Sequence, residues 1–114
     1  MRNQYQYMNE ALIEAKLAEL EDEVPVGAVV VFKSKIIGRG HNTVISDNSV
    51  TSHAEINAIL EASNFLKNYR LNNCDMYVTL EPCHMCAKAI VDARINKVFF
   101  AAPEPKTGAI ISID

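Results

Sequence analysis

The chain has 114 residues, of which 49% are hydrophobic and 22% charged, and its formal net charge is -3. This composition predicts one soluble globular domain over residues 1–114, and no apolar run approaches the roughly 18 residues that a membrane span needs. A pI of about 5.6 also sets the chain apart from the strongly basic class of nucleic-acid-binding proteins.

The N-terminus and the cysteines both favour a cytoplasmic protein. The first seven residues lack the apolar stretch of a signal peptide. Three cysteines are an odd number for a disulfide framework, and Cys83 and Cys86 form a Cys-x-x-Cys pair that is typical of metal or thiol chemistry. We therefore expect a cytoplasmic location, with no membrane and no DNA partner.

Hydrophobic periodicity predicts elements in the order helix, strand, strand, helix, strand, helix, strand. They cover residues 4–20, 24–32, 36–40, 53–67, 75–80, 82–92 and 97–101. The first helix is predicted from apolar residues at helical spacing, namely Tyr5, Met8, Leu12, Ala15 and Ala18. The acidic run that follows, Glu19–Glu23, is interpreted as a solvated helix end, and the polar stretch His41–Ser52 as a loop.

The order of these elements predicts a layered α/β sandwich. The first two strands are joined by the short turn Lys33-Ser34-Lys35 and should form a hairpin. A helix separates each later pair of strands, which favours crossover connections and a sheet that is partly parallel.

Two short motifs carry the candidate chemistry: His53-Ala54-Glu55 heads one predicted helix, and Pro82-Cys83-His84-Met85-Cys86 heads the next. Cys83 and Cys86 are three residues apart and should share one helix face. Pro82 fits the first helical position, and the positive end of the helix should lower the thiol pKa values. With His53 the two thiols make three ligands, the number in a catalytic zinc site that keeps its fourth position open.

Glu55 has two interpretations. Ser52 and Glu55 match the S-x-x-E capping box, so the carboxylate could simply cap the helix start. Because Glu55 follows a candidate ligand on the same helix turn, we favour a role as a proton shuttle beside the metal. Zinc held by one imidazole and two thiolates brings the pKa of its bound water toward neutrality, and the resulting hydroxide could attack the amine-bearing carbon of a nucleobase.

The remaining histidines and the third cysteine are predicted not to bind the metal. His84 should project from another helix face than the two thiols, and His41 precedes a loop. Cys74 is interpreted as a packed or free thiol in a loop. If it were a fourth ligand, the site would be structural rather than catalytic.

At these residues the chain resembles the cytidine and deoxycytidylate deaminase superfamily, and within it the bacterial deaminases that act on adenosine in tRNA. The matching stretches run in order through the chain: Val24–Val30, Gly40–Asn42, His53–Ile56, Asn68–Leu71, Tyr77–Cys86 and Lys106–Ala109. The resemblance implies a three-layer α-β-α sandwich of the cytidine deaminase type with a mixed central sheet.

The resemblance also implies roles for single residues and partners. It implies one Zn²⁺ per subunit on His53, Cys83 and Cys86, a homodimer, and the tRNA anticodon loop as the partner. Substrate contacts are implied for the Asn42 side chain, the Ala54 backbone and the pocket-lining Val26. A turn-capping role for Asn42 is the alternative.

The chain departs from the family pattern near its end. Pro103-Glu104-Pro105-Lys106 replaces the usual Arg-Asp-Ala-Lys, so any RNA or substrate contact by Glu104 must differ. The last residue is Asp114, and we expect the family's C-terminal strand and helix to be missing. Two other functions stay open: a deaminase of free cytosine, guanine or cytidine, and an inactive truncated paralogue with a structural zinc.

Overall fold

The chain forms a central sheet that has helices on both faces. The computed structural model describes residues 3–102. Its elements are α1 (Gln4–Leu20), β1 (Gly27–Phe32), β2 (Lys35–His41), α2 (Val44–Asp47), α3 (Ala54–Leu66), β3 (Cys74–Val78), α4 (His84–Asp92) and β4 (Lys97–Phe100). Of the helices in this part of the chain, none has both the length and the apolar character to cross a membrane.

The sheet is mixed, with strand order β2-β1-β3-β4. β1 pairs antiparallel with β2 and with β3, whereas β3 and β4 are parallel and are joined through α4. Val29 and Val31 of β1 pack with Tyr7 of α1 on one face. Ala28 and Val30 point the other way, into a larger core with the alanines of α3. The three-layer α-β-α class with a mixed sheet is therefore confirmed.

The buried face of α1 agrees only in part with the one that the sequence predicted, since Ala15 and Ala18 are buried as expected but Tyr5 and Leu12 are not. Tyr5 is 81% exposed and Leu12 is 48% exposed, while Tyr7 and Ala11 are buried. The cause is close packing on β1, since a Cβ on Gly27 would overlap the Ala11 carbonyl oxygen. A helix at this distance has to face the sheet with small residues, so the larger Leu12 lies to the side.

Helix α3 lies close to β2 for the same reason. Ala54, Ala58 and Ala62 are fully buried, and a Cβ on Gly40 would overlap the Ala54 carbonyl oxygen. Gly40 therefore lets the first turn of α3 approach the sheet without a gap. This contact fixes the position of the helix start, where His53 and Glu55 lie.

Three local predictions were wrong. The stretch interpreted as a loop contains the short helix α2, and Cys74 begins β3 instead of preceding a strand in a loop. Helix α4 has Cys83 as its N-cap, so Pro82 precedes the helix. The last two are shifts of one or two residues at element ends, where local sequence signals are weakest, whereas α2 is an element that the sequence did not predict.

Candidate active site

The starts of α3 and α4 meet on one side of the sheet and bring three metal-binding side chains together. His53 is the N-cap of α3 and Cys83 is the N-cap of α4, and neither side chain is used for capping. The Nδ1 atom of His53 lies 3.4 Å from Cys86 Sγ and 3.7 Å from Cys83 Sγ. Within residues 3–102 this is the one such group, with all its ligand atoms within 4.8 Å of one another.

These distances fit a tetrahedral zinc ion. Zn–N and Zn–S bonds of usual length at a tetrahedral angle would put the nitrogen about 3.6 Å from each sulfur. The two observed separations lie on either side of that value. One imidazole and two thiols also match zinc in ligand chemistry, because zinc prefers nitrogen and sulfur ligands. The three side chains thus leave a fourth coordination position free of protein ligands among the described residues.

The expected lowering of the thiol pKa is wrong for Cys86. Burial raises the pKa of the Cys86 thiol far above its usual value, and the nearby Glu55 and Cys83 raise it further. The helix N-terminus does not overcome these effects in the protein alone. A bound cation would reverse them, because a coordinating thiol is deprotonated by the charge of the metal.

Glu55 is buried beside the three ligands. Its side chain is 4% exposed, and burial raises the pKa of its carboxyl group, although hydrogen bonds from its own N–H and from the Cys86 thiol act in the opposite direction. The capping-box interpretation fails, since the N-cap of α3 is His53 and not Ser52. The raised carboxyl pKa moves the protonation equilibrium of Glu55 in the direction that a general acid–base group requires.

A cavity of about 340 Å³ opens next to the cluster. Its volume lies near the lower end of the range for ligand pockets, roughly 300–1,000 Å³. The lining residues are Glu23, Val24, Val26, Asn42, Val44, Ile45, His53, Glu55, Leu80, Glu81 and Cys83. Most of the lining is apolar, with acidic, amide and metal-binding groups at a few points.

The predicted site residues fall into three groups. Val26, Asn42 and Glu55 line the cavity together with two of the candidate ligands, His53 and Cys83. Ala54 is fully buried at the first position of α3 and contributes no side chain to the lining. Glu104 lies outside the described residues, as does the stretch Lys106–Ala109.

The groups that were predicted not to bind metal lie away from the cluster. His84 is exposed, and Cys74 is buried at the start of β3. His41 Nδ1 lies 3.1 Å from Glu14 Oε1, and its Nε2 lies 3.0 Å from Glu21 Oε1. Burial disfavours the charged form of His41, but the two carboxylates outweigh burial and raise the His41 pKa.

Sequence reasoning missed Glu23 and Glu81. Both are buried and line the cavity, although Glu23 was interpreted as part of a solvated helix end. The carboxylate of Glu23 accepts hydrogen bonds from the backbone N–H groups of Ile45 (3.0 Å) and Ser46 (2.8 Å). A contact across more than twenty residues leaves no trace in local sequence pattern. The one available signal is that Glu23 directly precedes a strand-like apolar run.

Comparison with known proteins adds a family and a set of relatives. The family model described as the cytidine and deoxycytidylate deaminase zinc-binding region matches residues 1–102. The tRNA-specific adenosine deaminase of Buchnera aphidicola subsp. Schizaphis graminum is 53% identical over 96 residues, which are 84% of this chain. The matched stretch is 64% of that relative, so this chain spans less than two thirds of its length.

Two solved structures show the same fold. A tRNA deaminase that performs A-to-I editing at the wobble position superposes with a TM-score of 0.94 at 47% identity, covering 96% of this chain and 84% of that one. Guanine deaminase from Bacillus subtilis superposes with a TM-score of 0.87 at 38% identity, covering 90% of this chain and 66% of that one.

Proposed function

The chain belongs to the cytidine and deoxycytidylate deaminase family, and from this we propose that it is a zinc-dependent hydrolytic deaminase that converts adenosine to inosine at the wobble position of tRNA. The observation that carries the proposal is the His53, Cys83 and Cys86 cluster with the buried carboxyl group of Glu55 beside it, at the edge of a cavity. The tRNA substrate is supported by relatives at about half identity that bear that name.

Glu55 is the group that moves protons in this proposal. Zinc held by His53, Cys83 and Cys86 would supply the Lewis acidity that activates a water molecule for attack on the amine-bearing carbon. Glu55 takes a proton from that water and delivers it to the neighbouring ring nitrogen. It then takes the second proton of the same water, from the hydroxyl group now on the carbon, and delivers it to the amino group, which leaves as ammonia while the carbonyl forms. One water enters and one ammonia leaves, so no other reactant is needed.

The cavity accepts the base and keeps the rest of the RNA outside. Asn42 offers both a donor and an acceptor to the nucleoside, and Val26 supplies an apolar wall. The Ala54 backbone would contact the base edge, and Glu104 would lie near the RNA. Bases of an anticodon loop are already unpaired, so turning one into a pocket costs little.

A second candidate function is the deamination of free guanine. Guanine deaminase from Bacillus subtilis shares the fold at 38% identity over most of this chain. A cavity of about 340 Å³ with an apolar lining is large enough for a free purine as well as for a flipped one. The metal cluster and Glu55 would serve both reactions equally.

Product analysis separates these functions. We would incubate the zinc-loaded protein with an adenosine-containing anticodon stem-loop and, in parallel, with free adenosine, cytidine, cytosine and guanine. Inosine in the RNA alone is the expected result. Product from guanine alone would establish the second candidate, and no product with zinc bound and the fold intact would indicate a non-catalytic zinc domain.

The homodimer and the cytoplasmic location are also part of this proposal. Both are expected from the resemblance, and tRNA-modifying relatives are consistent with a cytoplasmic enzyme. Sedimentation of the zinc-loaded protein should give twice the mass of one chain, whereas a monomer would contradict the dimer.

A further inference from the structure

The buried carboxylate of Glu23 connects two walls of the cavity. Glu23 is 6% exposed, which is unusual for a glutamate unless it is paired. Its two oxygens accept from the N–H groups of Ile45 and Ser46, at 3.0 and 2.8 Å. Glu23 lies on the stretch that leads into β1, and its two partners lie on the short helix α2, beyond β2.

These hydrogen bonds replace a cap that α2 lacks. Thr43 is the N-cap of α2, but its side chain makes no capping hydrogen bond and instead donates to Asp47 Oδ2. The first N–H groups of a helix need an acceptor, and hydrogen bonds from amides to a carboxylate are stronger than those to a neutral oxygen. Glu23 supplies both the acceptor and the charge from outside the helix.

The segment that Glu23 holds is the wall that carries Asn42. The end of this wall that precedes α2 is anchored by other groups: Asn42 N–H donates to the Val26 carbonyl, and Asn57 donates to the His41 carbonyl and to Thr43 Oγ1. Val44 and Ile45 follow these anchors along the chain and line the cavity. The bonds to Glu23 therefore fix the α2 part of the wall, next to Asn42, against the opposite side, where Val24 and Val26 lie.

Glu23 is suited to hold this wall and not to transfer protons. Burial would raise the pKa of its carboxyl group, but the amide hydrogen bonds from Ile45 and Ser46 outweigh burial and lower it. The group therefore stays ionised at neutral pH, with both oxygens engaged by amides. This separates it from Glu55, whose carboxyl pKa is raised.

We propose that Glu23 is a positioning residue for substrate binding, which acts through α2 to hold Asn42 and the apolar wall in the geometry that accepts the nucleoside. The proposal rests on the proposed deaminase function for its effect on catalysis. The clamp itself, from Glu23 to the two amides, can be measured without any substrate.

Amide hydrogen exchange tests the clamp in the zinc-loaded full chain. In Glu23→Gln, the exchange of the Ile45 and Ser46 amides should speed up by about tenfold or more, the usual effect of losing a charge-assisted hydrogen bond. Glu19→Gln is the matched control, since Glu19 is an exposed acid of the same run that pairs with Lys16. Equal exchange in wild type and Glu23→Gln would overturn the clamp.

Kinetics test the positioning role. KM should rise about tenfold in Glu23→Gln and more in Glu23→Ala, with kcat changed less than about threefold and zinc content unchanged. Because Glu23 is proposed to act through the wall that carries Asn42, adding Glu23→Gln to Asn42→Ala should raise KM by no more than about twofold. Fully additive effects, or a loss confined to kcat, would overturn the role.

The comparison of Glu23→Gln, Asn42→Ala and the double variant is a double-mutant cycle. Its substrate is the one that the wild-type protein deaminates. If that is guanine and not the stem-loop, the tRNA assignment fails, and the cycle run on guanine still decides the role of Glu23. If wild type deaminates nothing, the deaminase function fails and the positioning role fails with it, while the exchange rates decide the clamp alone.

Discussion

Burial raises the carboxyl pKa of Glu55 and the thiol pKa of Cys86, and the two groups share one small space. A metal cation beside them offsets the cost of the thiolate charges, since metal binding requires and stabilises deprotonated ligands. Glu55 then remains as a protein group beside the metal that can still exchange a proton. The proton transfer by Glu55 therefore depends on the metal stabilising the thiolate charges while the Glu55 carboxyl group stays free of the metal.

Replacing Glu55 with Gln tests whether Glu55 transfers protons without binding the metal. We expect Glu55→Gln to keep its zinc and its fold but to lose about 100-fold to 10,000-fold in turnover, the usual contribution of a general acid–base group. Elemental analysis would measure zinc, and product formation would measure turnover. Turnover within a few fold of wild type would show that Glu55 is not the proton shuttle.

The cysteines should differ in zinc binding. Cys86→Ala should lose most of its zinc, because two remaining ligands do not hold the ion in a catalytic site of this kind. Cys74→Ala is the matched control, since Cys74 is equally buried but lies outside the cluster. Measuring the zinc content of both purified variants tests which cysteine is a ligand. Zinc loss in Cys74→Ala, or its retention in Cys86→Ala, would contradict the assignment of the ligands.

For single residues, the sequence predicted which side chains come together better than it predicted their burial and pKa shifts. His53-Ala54-Glu55 and the Cys83–Cys86 pair are two local motifs that together have one dominant chemical interpretation, and the structure does bring them together. The direction of the Cys86 pKa shift depends on burial and on the charge of Glu55, which lies on another helix. The burial of Glu23 likewise depends on amides far along the chain.

Helix α3 presents His53 and Glu55 to the site because it lies flat on β2. The contact uses Gly40, whose missing side chain leaves room for the carbonyl of Ala54. Two layers of backbone are in direct contact there, so a displacement would be passed to the first turn of the helix. The geometry of the site is thus tied to a position that carries no functional group.

Gly40→Ala should therefore weaken both the fold and the site. Overpacking of a close contact costs about 1–3 kcal/mol, and a displacement near 1 Å can reduce turnover by about 100-fold. Urea unfolding and product formation would measure the two effects. Asn64→Ala, at an exposed position of the same helix, is the control. A variant with wild-type stability would contradict the close contact.

Helix α1 and strand β2 are joined by a charged contact around His41. Glu14 and Glu21 raise the His41 pKa above its unfolded value near 6.5, so the protonated form is favoured in the folded state. The stabilisation is fully present below that unfolded pKa and is lost as the pH rises through the folded pKa. Arg39 of β2 pairs with Glu10 and Glu14 of α1 in the same contact.

Comparison of wild type with His41→Gln would show this dependence. The difference in unfolding free energy between the two proteins should be largest near pH 5.5 and should shrink toward pH 8. Urea unfolding at several pH values is the measurement. A difference that stays constant or grows as the pH rises would mean that the ion pairs with Glu14 and Glu21 do not form.

Element types were predictable from the sequence, whereas the burial of Tyr7 and Ala11 in place of Tyr5 and Leu12, and the presence of α2, were not. Periodicity marked an amphipathic helix near residues 4–20, but which face is buried was decided by the contact of Ala11 with Gly27. Helix α2 has four residues and takes its cap from Glu23. A helix of that length has no period to detect.

The 114 residues carry a net charge of -3, which is unusual for a protein proposed to act on RNA. The contact with RNA must then be small and local. If the wobble base is the substrate, a few phosphates on either side of it account for the electrostatic attraction. A free base would have no such contacts, so ionic strength distinguishes the two substrates.

Salt dependence is therefore predicted to differ between RNA and free base. For the stem-loop, the logarithm of the affinity should fall with the logarithm of the salt concentration, with a slope of about -0.7 for each phosphate contacted. KM for free guanine should stay flat over the same range. Both are measured from 50 to 300 mM salt at constant pH. A flat response for the stem-loop would contradict RNA binding through phosphates.

The metal cluster joins the start of helix α3 to the start of helix α4, through His53 and Cys83, which are 30 residues apart along the chain. An ion held there binds the folded chain and not the unfolded one, so folding and zinc uptake become one linked equilibrium. Free zinc at 100 times its dissociation constant would add about 2.7 kcal/mol to stability. In a cell that is short of zinc, the protein would then lose abundance as well as activity.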